Sequence, residues 1–341
     1  MTMQKKLVLS FVLFSIIASC STNNNLSDPD VRISNEFSLL KSSGNTVESS
    51  VAFTQVKAFI PDSNYMDYKN IKNEKFKYIK LPKNKSVISG KVILENNTDG
   101  NMNIQGFFIQ GNKIAKVKKK NSKKWERFIT YHVNPRSSIE ISVDIKWDRE
   151  GINELIFFPL DHTAPADRYN GGNLSLIRYF VSDDEMNIEE DMLTKQSFHF
   201  DSSLHEANSY FPNPTWISNN DQEVEFIIKG DKLLAKTPIY GLKLHSVPYT
   251  TEVDILLLDE KGNLSIVDHK IKVKKNEPTF IYLPSKTLAQ LRESQDKSYL
   301  ILLNNRGIDL LADIEALDLG LKPFSTTYQS VIEFYKEAKG E

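Results

Sequence analysis

The sequence contains little cysteine, glycine and proline, and it has almost no net charge. Cys20 is the one cysteine among 341 residues, so no disulfide can form within the chain. Glycine (14) and proline (13) are too rare for a fibrous or low-complexity protein. Because 43 basic residues face 44 acidic ones, a nucleic-acid partner is not expected. The hydrophobic fraction of 40% is sufficient for buried cores, and the length predicts two domains of about 100–200 residues each.

The motifs of several common enzyme classes are also missing. The chain has no G-x-S-x-G, Walker A or dinucleotide-binding glycine motif, so hydrolase, NTPase and Rossmann functions have no support. The nearest pattern to a metal site is His199, Asp201 and His205, for which a solvated polar loop is the simpler interpretation. We therefore predict a protein that is not an enzyme, with no catalytic residue, no cofactor and no metal ion.

The first 20 residues predict a membrane anchor. Lys5 and Lys6 precede an apolar run over 7–17, which is shorter than the about 20 residues that span a bilayer but is typical of a signal peptide. The tetrapeptide Ile17-Ala18-Ser19-Cys20 resembles the lipobox of bacterial lipoprotein signal peptides. This resemblance implies that residues 1–19 are removed and that Cys20 carries a diacylglyceryl group. The partner is then the cell membrane, with the protein lipid-anchored on its extracytoplasmic face.

The chain after Cys20 divides into a tether and a strand-rich region. Residues 20–49 are rich in serine and asparagine, which predicts a flexible tether. From 50 to 182, short β-branched and aromatic runs separated by turn residues predict strands. These strands are expected at 50–60, 87–95, 103–110, 127–133, 138–147, 153–160 and 174–181. Their close succession without a long helix favours an antiparallel sandwich.

The order of features in this region resembles the immunoglobulin-like and fibronectin-type-III-like modules of bacterial surface proteins. A B strand enters Asn96-Asn97, and a C strand covers 104–109. An E strand follows Pro135-Arg136-Ser137, and an F strand led by Gly151 ends in Pro159-Leu160-Asp161. The resemblance implies a β-sandwich that serves as a binding module.

The second half of the chain predicts another sandwich. Residues 183–215 begin with six acids in nine positions, which indicates an acidic linker. Over 216–341, strands are expected at 224–229, 238–245, 253–259, 264–273, 279–283, 299–303 and 308–314. A helix with Ser285 as its N-cap is predicted over 285–295. A terminal amphipathic helix is predicted over 326–339, with Tyr328, Val331, Ile332 and Tyr335 as its apolar stripe. The predicted fold is all-β: two antiparallel immunoglobulin-like sandwiches in tandem with a short C-terminal helix.

A loop after the predicted F strand is a possible ligand site. It carries Asp161, His162, Asp167, Arg168 and Tyr169, a set that could bind a sugar or a peptide by stacking and hydrogen bonding. An ordinary long connection between two strands is the alternative interpretation.

A basic hairpin over 113–127 is a possible contact with an anionic surface. Its lysines Lys118, Lys119, Lys120, Lys123 and Lys124 could meet anionic lipid or wall polymer. The alternative is a solvated rim. In either case the side chains are expected outside the core, so reversing the charge of Lys118, Lys119 and Lys120 should change stability little.

Together these features predict a lipid-anchored cell-envelope protein with non-catalytic modules that bind a protein, a glycan or a wall polymer. The alternative is an envelope-associated enzyme or accessory subunit whose site is built from separate loops.

Overall fold

The computed structural model describes residues 28–39, 55–71, 74–163, 176–183, 213–230, 232–247, 250–274, 276–304, 306 and 329–338. These residues form mainly β-strands in antiparallel sheets, which confirms the predicted all-β class. Within these ranges, no helix is both long and apolar enough to cross a membrane. Cys20 and most of the predicted linker lie outside the described residues, so the anchor and the domain boundary at 183–215 stay predictions.

The first half of the chain builds two sheets that face each other. Its strands are β1 (Val31–Ser34), β2 (Gln55–Pro61), β3 (Met66–Ile71), β4 (Glu74–Leu81), β5 (Val87–Asn96), β6 (Met102–Gln110), β7 (Lys113–Ala115), β8 (Val117–Lys119), β9 (Phe128–Val133), β10 (Ser137–Lys146), β11 (Glu154–Asp161) and β12 (Ile177–Asp183). The first sheet has the order β1-β10-β5-β2, with β8 also paired to β10. The second has the order β3-β4-β12-β11-β6-β7, with β9 paired to β6.

This order confirms the immunoglobulin-like arrangement of the first sandwich. In that fold, strands A, B, E and D form one sheet and strands C, F and G form the other. Here β5 and β10, the predicted B and E strands, pair along their whole lengths. The predicted C and F strands, β6 and β11, pair in the opposite sheet. One pairing departs from the antiparallel prediction, because β12 runs parallel to β4.

The second half of the chain adds two further sheets and a helix. Its elements are β13 (Thr215–Ile217), β14 (Phe226–Lys229), β15 (Lys232–Ala235), β16 (Gly241–Leu244), β17 (Thr251–Asp259), β18 (Leu264–Val273), β19 (Thr279–Tyr282), α1 (Ser285–Glu293), β20 (Ser298–Asn304) and β21 (Gln329–Glu333). The third sheet has the order β18-β17-β20-β21, and the fourth has the order β13-β16-β19. Strands β14 and β15 form a separate pair. The helix over 285–295 is confirmed, although Pro284 rather than Ser285 is its N-cap. The predicted strand at 308–314 lies outside the described residues.

A hydrophobic core lies between each two successive sheets of the four, which gives three cores. The first core fills the space between the first and second sheets and includes Phe59, Phe108 and Phe157. The second core joins the two halves of the chain, since Phe158 of β11 packs there with Tyr299 of β20. The third core lies between the third and fourth sheets and is closed by α1. The inner strands of the central sheets, such as β11 and β20, are therefore covered on both faces.

Burial on both faces explains the strands without polar alternation. All eight residues of β11 and all seven of β20 are buried. Successive side chains of a strand point to opposite faces, so in each of these strands alternate residues enter two different cores. Phe157 faces the first core and Phe158 the second. Continuous apolar runs at 155–158 and 299–303 are the sequence pattern that this burial requires.

The predicted C-terminal helix is wrong, and burial on both faces of a strand again explains the sequence pattern. Residues 329–333 form β21 and pair with β20, and no helix is found over 329–338. Val331 enters the second core and Ile332 the third. The adjacent apolar residues that were interpreted as a helical stripe are instead the two faces of a doubly covered strand.

The flexible tether predicted over 20–49 is wrong for its central part. Residues 31–34 form β1, which pairs with β10. Asp30 is buried and accepts hydrogen bonds from the backbone and side chain of Asn121, at 2.7 and 2.8 Å. Asp28 accepts one from Lys119 at 2.6 Å. The N-terminal segment is therefore held to the first sandwich by a strand ladder and by ionic contacts.

A buried ionic cluster lies where the two halves meet. Glu154 of β11 is fully buried and accepts hydrogen bonds from Arg178 at 2.6 Å and from Arg306 at 2.8 Å. Arg306 also pairs with Asp254 of β17, at 3.2 Å, and donates to the backbone oxygen of Gly111. Although burial disfavours its charge, the two guanidinium groups hold the pKa of Glu154 below its usual range. The cluster therefore remains ionised and crosses between β11 and β17.

We predict that Glu154→Ala destabilises the whole protein. The substitution leaves Arg178 and Arg306 buried beside each other with one fewer counter-charge, and breaking a buried pair costs about 3–5 kcal/mol. Chemical denaturation followed by circular dichroism measures this loss. The control is Glu140→Gln, which removes the more exposed Lys91–Glu140 pair and should cost no more than about 1 kcal/mol. Equal losses for the two variants would contradict a special role for the cluster.

Candidate functional site

A cleft lies at one end of the first sandwich. It has a volume of about 670 Å³ and is lined by Ser86 and by the segments 110–116 and 146–152. These segments comprise the turn between β6 and β7, the step from β7 into β8, and the loop that leaves β10 for β11. Pockets for small ligands are commonly ~300–1,000 Å³ in volume, so the cleft has the size of a ligand site.

Buried hydrogen bonds fix the wall of the cleft. The side chain of Gln110 is buried; its amide nitrogen donates to the backbone oxygen of Asp148 at 2.6 Å, and its oxygen accepts from the backbone N–H of Asp148 at 3.0 Å. The Gln110 amide lies against Gly151, where an added Cβ would be 2.7 Å from its nitrogen. Only a glycine therefore fits at 151 without moving the wall.

The charged residues of the lining are not equally compensated. Lys113 pairs with Asp148 at 3.3 Å. The guanidinium of Arg149 donates to the backbone oxygens of Pro82 and Lys85. In contrast, Lys116 and Lys146 line the cleft and form no ion pair or side-chain hydrogen bond with any part of the protein that the structure describes. The cleft therefore holds two uncompensated positive charges.

The predicted ligand loop is only partly within the described residues. Asp161 is buried and pairs with Lys57 at 2.7 Å, and it also accepts hydrogen bonds from the backbone and hydroxyl of Thr163. Its carboxylate therefore stabilises the end of β11 and does not face solvent. The other predicted residues, Asp167, Arg168 and Tyr169, lie outside the described residues, as do His199, Asp201 and His205. Among the residues that are described, no group of three metal-ligating side chains converges.

His162 forms a polar contact between the two halves. Its Nε2 lies 2.9 Å from the side-chain oxygen of Gln105, and its Nδ1 lies 3.3 Å from a carboxylate oxygen of Glu260. The Gln105 amide nitrogen donates to the backbone oxygen of Glu260 at 2.7 Å, which fixes the orientation of the amide. Both ring nitrogens of His162 thus face acceptors. Only the protonated imidazolium can donate to both.

The neighbours of Glu260 stabilise its carboxylate form. The hydrogen bond from His162 lowers the pKa of Glu260, and a backbone N–H from Lys297 acts in the same direction against a partial burial. Lys297 also pairs with Glu333 of β21, at 3.5 Å, and burial raises the pKa of Glu333. His162, from the first half, therefore contacts a cluster in the second half that consists of Glu260, Lys297 and Glu333.

We predict that His162→Phe weakens the contact between the two halves. The substitution removes the hydrogen bond of the ring with Gln105 and its contact with Glu260. It should lower the free energy of unfolding by about 0.5–1.5 kcal/mol, the usual contribution of a hydrogen bond. Chemical denaturation measures the loss. His132→Phe is the matched control, since His132 forms an exposed contact with Asn103 within the first sandwich, and its loss should be smaller. Equal losses for the two variants would contradict a role of His162 in joining the halves.

The lysines of the basic hairpin are largely paired within the protein. Lys118 pairs with Asp144 at 3.2 Å and lies over the ring of Trp125. The remaining pairs are Lys119 with Asp28 at 2.6 Å, Lys120 with Asp62 at 3.8 Å and Lys124 with Glu126 at 2.7 Å. Lys123 is exposed and has no such partner in the described part of the chain. None of these lysines belongs to a hydrophobic core, but acids from β10 and from the N-terminal segment lie against several of them, so the expectation of little effect on stability does not suit Lys118.

We predict that reversing the charge of Lys118 destabilises the protein. Lys118 and Asp144 are 19% and 13% exposed, so Lys118→Glu places two poorly solvated carboxylates side by side. The expected loss is about 1–3 kcal/mol in the free energy of unfolding. Lys123→Glu makes the same charge change at an unpaired, exposed position and should stay within about 0.5 kcal/mol of the parent. Thermal or chemical unfolding compares the two variants. Equal stability of the two would contradict a structural role of Lys118 and support the alternative interpretation, in which the hairpin is a solvated rim.

Sequence reasoning missed the residues that define the cleft. Lys116 belongs to the basic run and Lys146 to the polar face of the alternating strand over 138–147, and each was visible by itself. Their juxtaposition depends on the pairing of β8 with β10, and a strand register between distant segments has no local sequence signal.

Comparison with known proteins adds little. No protein-family model matches the chain, and a search of curated proteins finds no match. Among solved structures, the chain is similar to the Pseudomonas aeruginosa CupB2 chaperone, at 8% identity over 75% of this chain and 96% of that one, with a TM-score of 0.20. It is also similar to the calcium binding domain CBD12 of CALX1.1, at 7% identity over 72% of this chain and 79% of that one, with a TM-score of 0.20. At these TM-scores neither likeness carries an argument about function.

Proposed function

We propose that the chain is a lipid-anchored envelope protein whose first sandwich binds a ligand without catalysing a reaction. The lipobox-like tetrapeptide ending in Cys20 supports the anchor, since Cys20 is the one sulfur in the sequence available for acylation. Two acyl chains supply the two membrane signals that stable anchoring needs.

One observation carries the binding part of the proposal: the cleft with two uncompensated lysines, Lys116 and Lys146, on a wall fixed by buried hydrogen bonds. A preformed pocket with a few polar groups is the usual form of a ligand site. The lining contains neither histidine nor cysteine, and of its two carboxylates Asp148 pairs with Lys113 while Glu150 is exposed. This composition suits recognition better than acid–base or nucleophilic chemistry.

The position of β1 supports a location close to the membrane. Val31 follows Cys20 by eleven positions, and a fully extended chain of that length spans at most about 40 Å. Because β1 pairs with β10 and the cleft includes the end of β10, an anchor at Cys20 holds the cleft in the same region of the envelope.

The expected result of Cys20→Ala is release from the membrane without unfolding. No described contact depends on Cys20, and the substitution removes the proposed acylation site. Fractionation of cells, with high-salt and carbonate washes of the membranes, measures the change. Ser21→Ala is the matched control and should remain in the membrane fraction. Retention of Cys20→Ala through both washes would refute the lipid anchor.

A further inference from the structure

Two lysines of the cleft lie opposite each other on neighbouring strands. Within β8 and β10, Val117 pairs with Ile145 and Lys118 with Asp144. The backbone N–H of Lys146 donates to the oxygen of Lys116 at 2.8 Å, which extends this register by one position. Residues directly opposite in an antiparallel pair have Cβ atoms about 4.5–5.5 Å apart, and like charges there are destabilising.

At the next pair along the same face, the charge of the lysine is balanced by an acid. Lys118 faces Asp144, and the two form an ion pair at 3.2 Å. Two positions away, the ladder places Lys116 against Lys146 and supplies no acid. Glu150 and the paired Asp148 are the carboxylates of the lining, against the cations of Lys113, Lys116, Lys146 and Arg149. The cleft therefore carries excess positive charge at the point where the like-charged pair stands.

In the described part of the chain, a tryptophan with an unpaired indole N–H lines the same cleft. Trp147 packs in the first core and is only 5% exposed, yet it lines the cleft. Its backbone N–H is bonded to Ser86, but its indole N–H has no hydrogen bond within the described chain. That nitrogen is not among the unpaired polar atoms sealed from solvent, and the residue lines the cleft. Buried tryptophans usually pair this N–H, which makes the open donor at 147 notable.

We propose that the cleft binds a phosphate group, which Lys116, Lys146 and the indole N–H of Trp147 hold together. Lysine ammonium groups bind phosphate as point charges, and a phosphate ester offers several acceptor oxygens to separate donors. An anion between the two lysines also relieves their repulsion. Apolar side chains at Ile114 and Ile152 leave room for the organic part of the ester. This inference names the ligand class of the binding function proposed above, and it does not require that Cys20 be acylated.

Binding is tested on the full-length protein purified in a neutral detergent. The probe is sn-glycerol 3-phosphate, and the readout is the indole N–H signals of the three tryptophans in a two-dimensional nitrogen–proton NMR spectrum. The variant Trp147→Phe identifies the signal of Trp147. We expect that signal to shift saturably, while the signal of Trp216, whose N–H donates to the backbone oxygen of Glu333 at 3.0 Å, stays in place. Acetate at equal ionic strength should not reproduce the shift.

Matched charge reversals separate the cleft from general electrostatic attraction. Lys146→Glu places an acid opposite Lys116, as Asp144 stands opposite Lys118, so the variant should unfold at the same temperature as the parent or higher. Its affinity for glycerol phosphate should fall about tenfold or more. Lys123→Glu makes the same change in net charge outside the cleft, and its affinity should stay within about twofold of the parent. Trp147→Phe keeps most of the packing and should weaken binding about threefold to tenfold, the value of one lost hydrogen bond.

Competition distinguishes the sources of the phosphate. The protein is reconstituted in phosphatidylcholine vesicles and its binding of labelled glycerol 3-phosphate is measured. Competition on adding phosphatidylglycerol to the vesicles assigns the site to lipid headgroups, whereas competition by soluble poly(glycerol phosphate) assigns it to a wall polymer. Absence of a saturable shift at Trp147, an equal shift with acetate, or equal affinities of Lys146→Glu and Lys123→Glu would each overturn the proposal. None of these outcomes depends on the cell fractionation that tests the anchor, so the two can fail separately.

Discussion

The fold depends on one constraint: the inner strands of its two central sheets are covered on both faces. β6 and β11 on one side, and β20 with the middle of β17 on the other, bury side chains on both their faces. The second core between them is made by residues from both halves of the chain. Neither sheet can leave the other without exposing that core to water, at ~25 cal/mol for each Å² of apolar surface. The charged cluster around Glu154 fixes the orientation of this contact, because three ion pairs among four charged groups must form in one geometry, whereas apolar contacts allow the surfaces to shift.

Polar contacts at the edge of the shared core fix the two halves in one register. The turn between β17 and β18 rests on the first half: Gly262, with a φ of 77°, would bring a Cβ to within 3.1 Å of the ring of Phe107. Beside it, Gln105 and His162 bond to Glu260. The cleft lies at another edge of the same sheets, and the oxygen of Gly111 in its lining accepts from Arg306 of the central cluster. The wall of the cleft is therefore positioned by the contact between the halves as well as by its own hydrogen bonds.

The sequence predicted the type of element correctly where one face of a strand is exposed to solvent, and it was misleading where both faces are buried. The alternation of Ile139, Ile141, Val143 and Ile145 located β10, and turn residues located the hairpins on either side of it. The adjacent apolar residues Val331 and Ile332 have the same local pattern whether they lie on a helix or on a strand between two cores, and the third sheet decided in favour of the strand. In the same way, the lysines of the basic hairpin were easy to see, but their partners Asp28, Asp62 and Asp144 come from three distant segments. A pairing of that kind is a property of the assembled sheets.

The charges along β8 and β10 show which lysines the assembled sheets pair with an acid and which they leave unpaired. Lys118 and Lys119 belong to the same basic run, and each forms an ion pair with an aspartate. The strand ladder places Asp144 opposite Lys118, and the segment that contains β1 brings Asp28 to Lys119. Lys116 instead lies opposite Lys146, at the end of the same ladder, and both line the cleft together with Trp147. In the same run, Lys120 and Lys124 are also paired with acids, whereas Lys116 and Lys123 are not paired within the described residues. Of these two unpaired lysines, Lys116 lines the cleft and lies opposite a second lysine, which is why the proposed anion site is placed there and not along the whole basic run.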